Sequence, residues 1–172
     1  MLVIVRILMI AIPWLSLLLL KKEVIKRFMT ATLVVTILLM LLGELAVTYN
    51  WWTYQDKLFP GLSVDVPFIF GAFIPATIWA LVVGYGHPVR YVVINAAAAV
   101  FLAYPLISLY EYIDYSQLNN FKDWHSMVTS FSLALIAYWS QMWQDGVIKP
   151  IPGESPLRKF KEVEFPAREK AR

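Results

Sequence analysis

Glu44 is an ionisable residue within an otherwise apolar run, residues 28–49. A carboxylate at membrane depth is costly and is by default a functional candidate, here for handling a proton or a cation. The alternative is structural, because Glu44 lies near the end of its run, where it could reach the interface or bond to Tyr49 or Asn95. Asn95, early in a later apolar run, is expected to form a hydrogen bond between helices rather than to bind a substrate.

Acidic residues between the apolar runs form a second set of candidates. Their carboxylate oxygens suit Ca²⁺ or Mg²⁺. The spacing of an EF-hand is absent, however, and a solvated acidic surface explains the same residues. We therefore predict no metal site and no cofactor, and keep Asp65 and Glu111 beside Glu44 and Asn95 as speculative functional residues. The full acidic set, with a histidine near it, is Asp56, Asp65, Glu111, Asp114, Asp123 and His125.

Motifs of catalysis and nucleotide binding are absent from the sequence. It contains no HExxH, GxxxxGK[ST], GxGxxG or GxSxG. It also contains no cysteine, which excludes disulfides, thiolate metal sites and thiol catalysis. The two histidines are His87, interpreted as a turn residue, and His125, and the predicted topology separates them across the membrane. We predict no catalytic residue and a protein that is not an enzyme.

Long apolar runs must position all of these residues. Of the 172 residues, 59% are hydrophobic and 16% are charged, whereas about 25% are charged in soluble domains. The charges gather in short blocks between runs of about 20 residues, a length that crosses a hydrocarbon core of about 30 Å. Arg6, within the first run, is expected to snorkel to the interface. We predict an all-α polytopic bundle with five spans: residues 2–20, 28–49, 66–86, 89–110 and 126–143.

The distribution of cations predicts the orientation. The block KKEVIKR separates the first two runs, and short loops rich in Lys and Arg stay on the cytoplasmic side. With five spans, twelve of the fifteen cations lie inside, the N-terminus outside and the C-terminus inside. If residues 2–20 only lie in the interface, four spans remain and both termini are inside. The net charge of +3 is typical of cytoplasmic loops and does not indicate nucleic-acid binding.

The third and fourth runs are expected to form an antiparallel hairpin around the short turn YGHPVRY. Small residues four apart in the third run would let another helix approach closely, and a proline inside each run should kink it. The small residues are Ala72, Ala76, Ala80 and Gly84, and the prolines are Pro75 and Pro105.

The chain divides into a transmembrane domain, residues 1–145, and a tail, residues 146–172. The tail is rich in proline and in charges of both signs. We interpret it as an extended or disordered segment near the cytoplasmic leaflet, where its cations are attracted by anionic lipid.

Three stretches carry a resemblance to a known family: IPWLSLLLLKKEVIKRF, WWTYQDKLFPGLSVDVPFIFGAFIPATIWAL and NAAAAVFLAYP. They resemble a family of small polytopic membrane proteins of spore-forming Gram-positive bacteria. The likeness covers about residues 5–145 and rests on the apolar runs, the paired tryptophans and the proline-flanked third run. The family has no assigned activity, so the resemblance implies a bacterial plasma membrane and carries over no functional residue.

The favoured function is a non-enzymatic membrane subunit or scaffold that acts through helix packing and its tail. A small transporter or channel component that uses Glu44 and the outer acids is the first alternative. A lipid-binding or membrane-sensing protein is the second, and an intramembrane enzyme acting on lipid would need an acid–base pair that the sequence does not offer. The expected partners are the lipid bilayer and a protein partner or a second copy of the chain, and no nucleic acid.

Overall fold

The computed structural model of the protein describes residues 2–54 and 64–146. It is 80% helical, which confirms the all-α class. Two short strands, β1 (Trp52–Tyr54) and β2 (Ser116–Leu118), were not predicted, and they pair antiparallel with Trp52 opposite Leu118. The helices are α1 (Leu2–Leu17), α2 (Lys22–Thr48), α3 (Pro67–Gly84), α4 (Pro88–Tyr112) and α5 (Asp123–Gln144).

Three of these helices, α2, α3 and α4, are long and apolar enough to cross a membrane. The shorter apolar helix α1 has 16 residues. The last helix, α5, has 22 residues but includes several hydroxyl and amide side chains. Length and composition therefore support membrane insertion for the three central helices.

Prolines set the starts of two helices and disturb their interiors. Pro67 and Pro88 begin α3 and α4, where a missing N–H costs nothing. The first part of α3, Pro67–Phe73, is π-helical and ends just before Pro75. A second π-helical segment, Leu102–Leu106, contains Pro105. Because proline offers no N–H and its ring crowds the preceding turn, both helices widen there.

The α3 distortion leaves a carbonyl that another helix satisfies. In a π-helix, the Phe70 carbonyl would pair with the N–H five residues later, but that residue is Pro75. The indole N–H of Trp14 in α1 donates to Phe70 O at 2.8 Å instead. Such replacement matters in a bilayer, where no water can satisfy a backbone carbonyl.

Only part of the predicted stripe of small residues takes part in close helix packing. Gly84 is buried, and an added Cβ would lie 2.8 Å from Tyr91 Cα, but Ala76 is exposed. Helix α1 also packs closely on Gly71, where an added Cβ would lie 2.8 Å from Met9 O. Gly71 therefore, and not the alanine stripe, lets α1 approach α3.

An ion pair closes the end of the bundle opposite the sheet. Arg27 Nη2 lies 2.7 Å from Asp145 Oδ2, and Gln141 donates to Asp145 Oδ1 at 3.1 Å. The Arg27 guanidinium also stands 5.4 Å from the centre of the Tyr85 ring. The start of α2, the end of α3 and the end of α5 meet here. Beyond residue 146, the predicted tail lies outside the described residues.

Candidate functional site

A cavity of about 140 Å³ lies inside the bundle at the end that carries the two-stranded sheet. We call it the sheet-side cavity. Its walls come from α2, the π-helical segments of α3 and α4, and the first half of α5, and β1, β2 and Phe121 also line it. The π-helical segments contribute mostly apolar side chains, among them Phe68, Phe73, Leu102 and Leu106.

One wall of the cavity carries hydroxyl groups. Ser126, Thr129 and Ser130 all line the cavity from α5. Their spacing of three and four residues puts them on one face of the helix. This face makes α5 the least apolar of the long helices, and it gives an otherwise apolar cavity hydrogen-bonding capacity along one side.

A buried polar cluster of Arg6, Asp65 and Tyr115 adjoins the cavity through Asp65. The Tyr115 hydroxyl donates to Asp65 Oδ2 at 2.7 Å, and the Arg6 guanidinium lies 4.9 Å from the centre of the Tyr115 ring. Arg6 is 2% exposed, Asp65 7% and Tyr115 0%. The expectation that Arg6 snorkels to the interface is therefore wrong, because its side chain packs inward among the other members of the cluster.

Burial governs the electrostatics of this cluster. It raises the pKa of Asp65 above its usual range, while the Tyr115 hydroxyl, the Arg6 charge and the Phe68 backbone N–H oppose the shift. Burial, followed by the Asp65 charge, also raises the pKa of Tyr115, so this hydroxyl remains a donor. The Asp65 carboxyl group is thus occupied by groups of the protein itself and serves to hold the cluster together.

Trp52 brings an unsatisfied donor to the cavity wall. Its Nε1 is buried and has no hydrogen-bond acceptor among residues 2–54 and 64–146. Burial raises the pKa of the Tyr54 hydroxyl, and the nearby Trp52 N–H opposes this without completing a hydrogen bond. The Trp52 ring packs edge-on against Phe121 with 5.2 Å between ring centres. A buried N–H without an acceptor is rare and calls for a partner.

Two further cavities adjoin the sheet-side cavity. The side groove, about 440 Å³, lies between α1, α3 and α4, and a third cavity of about 370 Å³ lies between α3, α4 and α5. Phe73 and Leu102 line all three spaces. The proline-widened segments of α3 and α4 meet there, so the three cavities adjoin one another across these two side chains.

The four speculative residues do not form one site. Glu44 is exposed on α2 and lines none of these three cavities. Asn95 is buried, donates to Tyr91 O at 2.8 Å within its own helix, and lines the third cavity. Glu111 is exposed beside β2, with its Oε1 3.5 Å from the Leu118 N–H. Asp65 alone of the four belongs to the sheet-side cavity.

The remaining polar candidates are dispersed or have structural contacts. Asp114 and Asp123 are exposed, and His87 is exposed in the turn before α4. His125 Nδ1 accepts the Lys122 N–H at 3.1 Å and so caps the start of α5. Asp56 lies outside the described residues. Within the part of the chain that the structure describes, no three acidic, histidine or cysteine side chains gather into a metal site.

Sequence reasoning missed Trp52 and the hydroxyl face of α5 as cavity residues, and it missed Tyr115 as the partner of Asp65. The serine and threonine pattern of the last run was visible, but it indicates only a helix that needs neighbours. No local pattern links Tyr115 to Asp65, fifty residues earlier. The arrangement can hold an apolar molecule with a small polar group, because the walls are mostly apolar and carry hydrogen-bond donors on Trp52 and on the hydroxyl face of α5.

Comparison with known proteins gives no relative, since no protein-family model, curated protein or solved structure matches the chain. The resemblance to membrane proteins of spore-forming bacteria therefore stays a prediction.

Proposed function

We propose that the protein is a non-enzymatic, lipid-binding membrane protein that holds part of a bilayer lipid in the sheet-side cavity and the adjoining side groove. The observation that carries the proposal is the set of three mostly apolar cavities that adjoin at Phe73 and Leu102. A dry apolar cavity of about 150 Å³ accommodates a molecule the size of benzene. The sheet-side cavity is of that size, and the side groove adds room for a chain.

The proposal includes a multi-pass position in the bacterial plasma membrane, with five spans and the N-terminus outside. Three long apolar helices support insertion, and the cation distribution supports the orientation. In this arrangement a ligand reaches the side groove from the bilayer, because exposed residues of α1 and α3, such as Leu8 and Ala76, line that groove.

Native mass spectrometry of the gently extracted full-length protein tests the proposal. We expect the wild-type protein to retain lipid and Leu102→Trp to lose it, because an indole at position 102 would fill the junction of the three cavities. Leu109→Trp is the matched control, since Leu109 lies on the same helix and is 51% exposed. Equal lipid retention in all three proteins would contradict lipid binding at this site.

A membrane subunit is the second candidate, and the position of Glu44 favours it. Glu44 is exposed on α2 between the exposed side chains of Leu41 and Leu45. A carboxylate that faces lipid is costly, whereas a partner helix could hydrogen-bond to it. A subunit should therefore be extracted with a stoichiometric protein partner.

Substitutions at Glu44 separate the subunit from the transporter alternative. A subunit should keep its partner in Glu44→Gln, which retains hydrogen bonding, and lose it in Glu44→Leu. A transporter that uses Glu44 should lose flux in Glu44→Gln. Flux that survives this substitution excludes a transport mechanism that depends on the Glu44 carboxylate. If wild type and both variants are all extracted without a protein partner, the protein is not a subunit of a larger complex.

A further inference from the structure

The donor of Trp52 determines what polar group the sheet-side cavity can recognise. Its Nε1–H is buried at the cavity wall and meets no acceptor among the described residues. Indole nitrogen donates and does not accept. A ligand that satisfies it must therefore present an acceptor, such as a carbonyl oxygen. A water molecule and the nearby Tyr54 hydroxyl are the competing acceptors, and neither would give selectivity among ligands.

The charge of the cavity points to a neutral acceptor. Asp65 is the carboxyl group on its wall, and Tyr115 already donates to it at 2.7 Å. Arg6 lies over the Tyr115 ring and does not line the cavity. Among residues 2–54 and 64–146, an anionic head group would thus meet a carboxyl group and no cation on the cavity wall. A cationic one would have to compete with Arg6 for Asp65.

The volumes of the two adjoining cavities indicate the shape of the rest of the ligand. The sheet-side cavity has room for only a few heavy atoms, whereas the side groove is about three times larger. Phe68, Phe73 and Leu102 line both spaces. The two spaces adjoin at these side chains, so a hydrocarbon chain attached to the polar group would enter the side groove where the side chains move aside.

We infer that the sheet-side cavity recognises the neutral acyl ester of a bilayer lipid, with the ester carbonyl accepting from Trp52 Nε1–H and the chain extending into the side groove. This inference rests on the proposed lipid-binding function and adds the chemical class of the recognised group. The hydroxyl face of α5, which includes Ser130, offers further donors on the cavity wall.

Thiol protection in the full-length protein tests the inference. The chain has no native cysteine, so Ser130→Cys places a single thiol at the cavity wall, and Ser132→Cys, exposed on the same helix, is the control. Methyl decanoate, decane and decanoate anion are added separately, and the rate of labelling by N-ethylmaleimide is measured. The three probes share a chain and differ in the polar group.

We expect methyl decanoate to protect Ser130→Cys at a concentration about fivefold below that of decane, the effect of one ordinary hydrogen bond. Decanoate should protect no better than decane, and none of the probes should slow labelling of Ser132→Cys. Adding Trp52→Phe should abolish the preference for the ester while leaving protection by decane. If Trp52→Phe does not fold, the test rests on the protein that retains Trp52. The order in which the three probes protect Ser130→Cys there then decides whether the ester is recognised.

The outcomes separate the inference from the function on which it rests. Equal protection by methyl decanoate and decane would overturn ester recognition and leave lipid binding intact. Stronger protection by decanoate would also overturn it. If none of the probes protects Ser130→Cys, lipid binding in the cavity is itself refuted.

Discussion

The guanidinium carbon of Arg6 lies 4.9 Å from the centre of the Tyr115 ring, and both side chains are buried. Arg6 belongs to α1, and Tyr115 lies between α4 and β2. The Tyr115 hydroxyl in turn donates to Asp65, just ahead of α3. One buried cluster therefore connects three segments that are distant in sequence and holds the first helix against the sheet-side end of the bundle.

Removing the two charges of this cluster, on Asp65 and Arg6, should have strongly coupled effects on the free energy of unfolding. We expect Asp65→Asn and Arg6→Met each to lower the free energy of unfolding by about 3 kcal/mol, because each leaves the other buried group without its opposite charge. The double variant should lose clearly less than the sum of the two. Denaturant titration in detergent gives the three values. Strict additivity would show that Arg6 and Asp65 do not interact.

The indole of Trp14 should stabilise the protein only because Pro75 lacks an N–H. Trp14→Phe removes the donor to Phe70 O, and we expect a loss of about 1–2 kcal/mol in unfolding free energy. In a Pro75→Ala background the new backbone N–H can pair with this part of the helix, so the same change should cost about half as much or less. An unchanged cost in both backgrounds would disprove this link.

Gly71 should be the most size-sensitive position between α1 and α3. An added Cβ would lie 2.8 Å from Met9 O and 2.9 Å from Ile10 Cα, both backbone atoms that cannot rotate away. We therefore expect Gly71→Ala to lower the unfolding free energy by about 1–3 kcal/mol. Ala97→Leu, at an exposed position of α4, should change it by less than about 0.5 kcal/mol. Thermal unfolding in detergent measures both, and equal effects would contradict the packing.

The ion pair between Arg27 and Asp145 should give a small pH dependence at low pH. Burial acts to raise the pKa of Asp145, but hydrogen bonds from Arg27, Tyr85 and Gln141 outweigh it and hold the pKa below its ordinary value of 3.8. An acid whose pKa is depressed on folding stabilises the folded state above the unfolded pKa and loses that contribution as the pH falls through the folded value.

Wild type should therefore exceed Asp145→Asn in unfolding free energy near neutral pH by at most about 1 kcal/mol, because the pair is partly exposed. The difference should vanish below about pH 3 and shrink in high salt. Denaturant titrations of both proteins across this range provide the test. A difference that persists at low pH would mean that packing, not charge, produces it.

Single introduced cysteines should report the orientation, because the chain has none of its own. With the N-terminus outside, Lys57→Cys should react with a membrane-impermeant maleimide on intact cells. Val24→Cys, within the basic block KKEVIKR, should react only after permeabilisation. The reverse pattern would invert the orientation, and labelling of both positions from outside would contradict a full span between them.

The positions of the helices were largely predictable from hydropathy. The predicted runs 66–86 and 89–110 match Pro67–Gly84 and Pro88–Tyr112 within about two residues, because proline and the turn around Gly86 define their ends. The start of α2 was predicted six residues late. Hydropathy predicts where a segment enters the membrane and not where its helix begins. The basic block before residue 28 is polar but already helical, so α2 begins before the apolar run.

The composition alone determined the helical class, the absence of thiol chemistry and the apolar character of the surface. Only the tertiary structure decided that Arg6 turns inward, that Gly71 rather than the alanine stripe admits α1, and that Trp52 lines a cavity. The reason is physical. Helix formation and membrane depth depend on neighbours within a few residues, whereas these contacts join residues far apart in the chain, whose meeting depends on how whole helices pack.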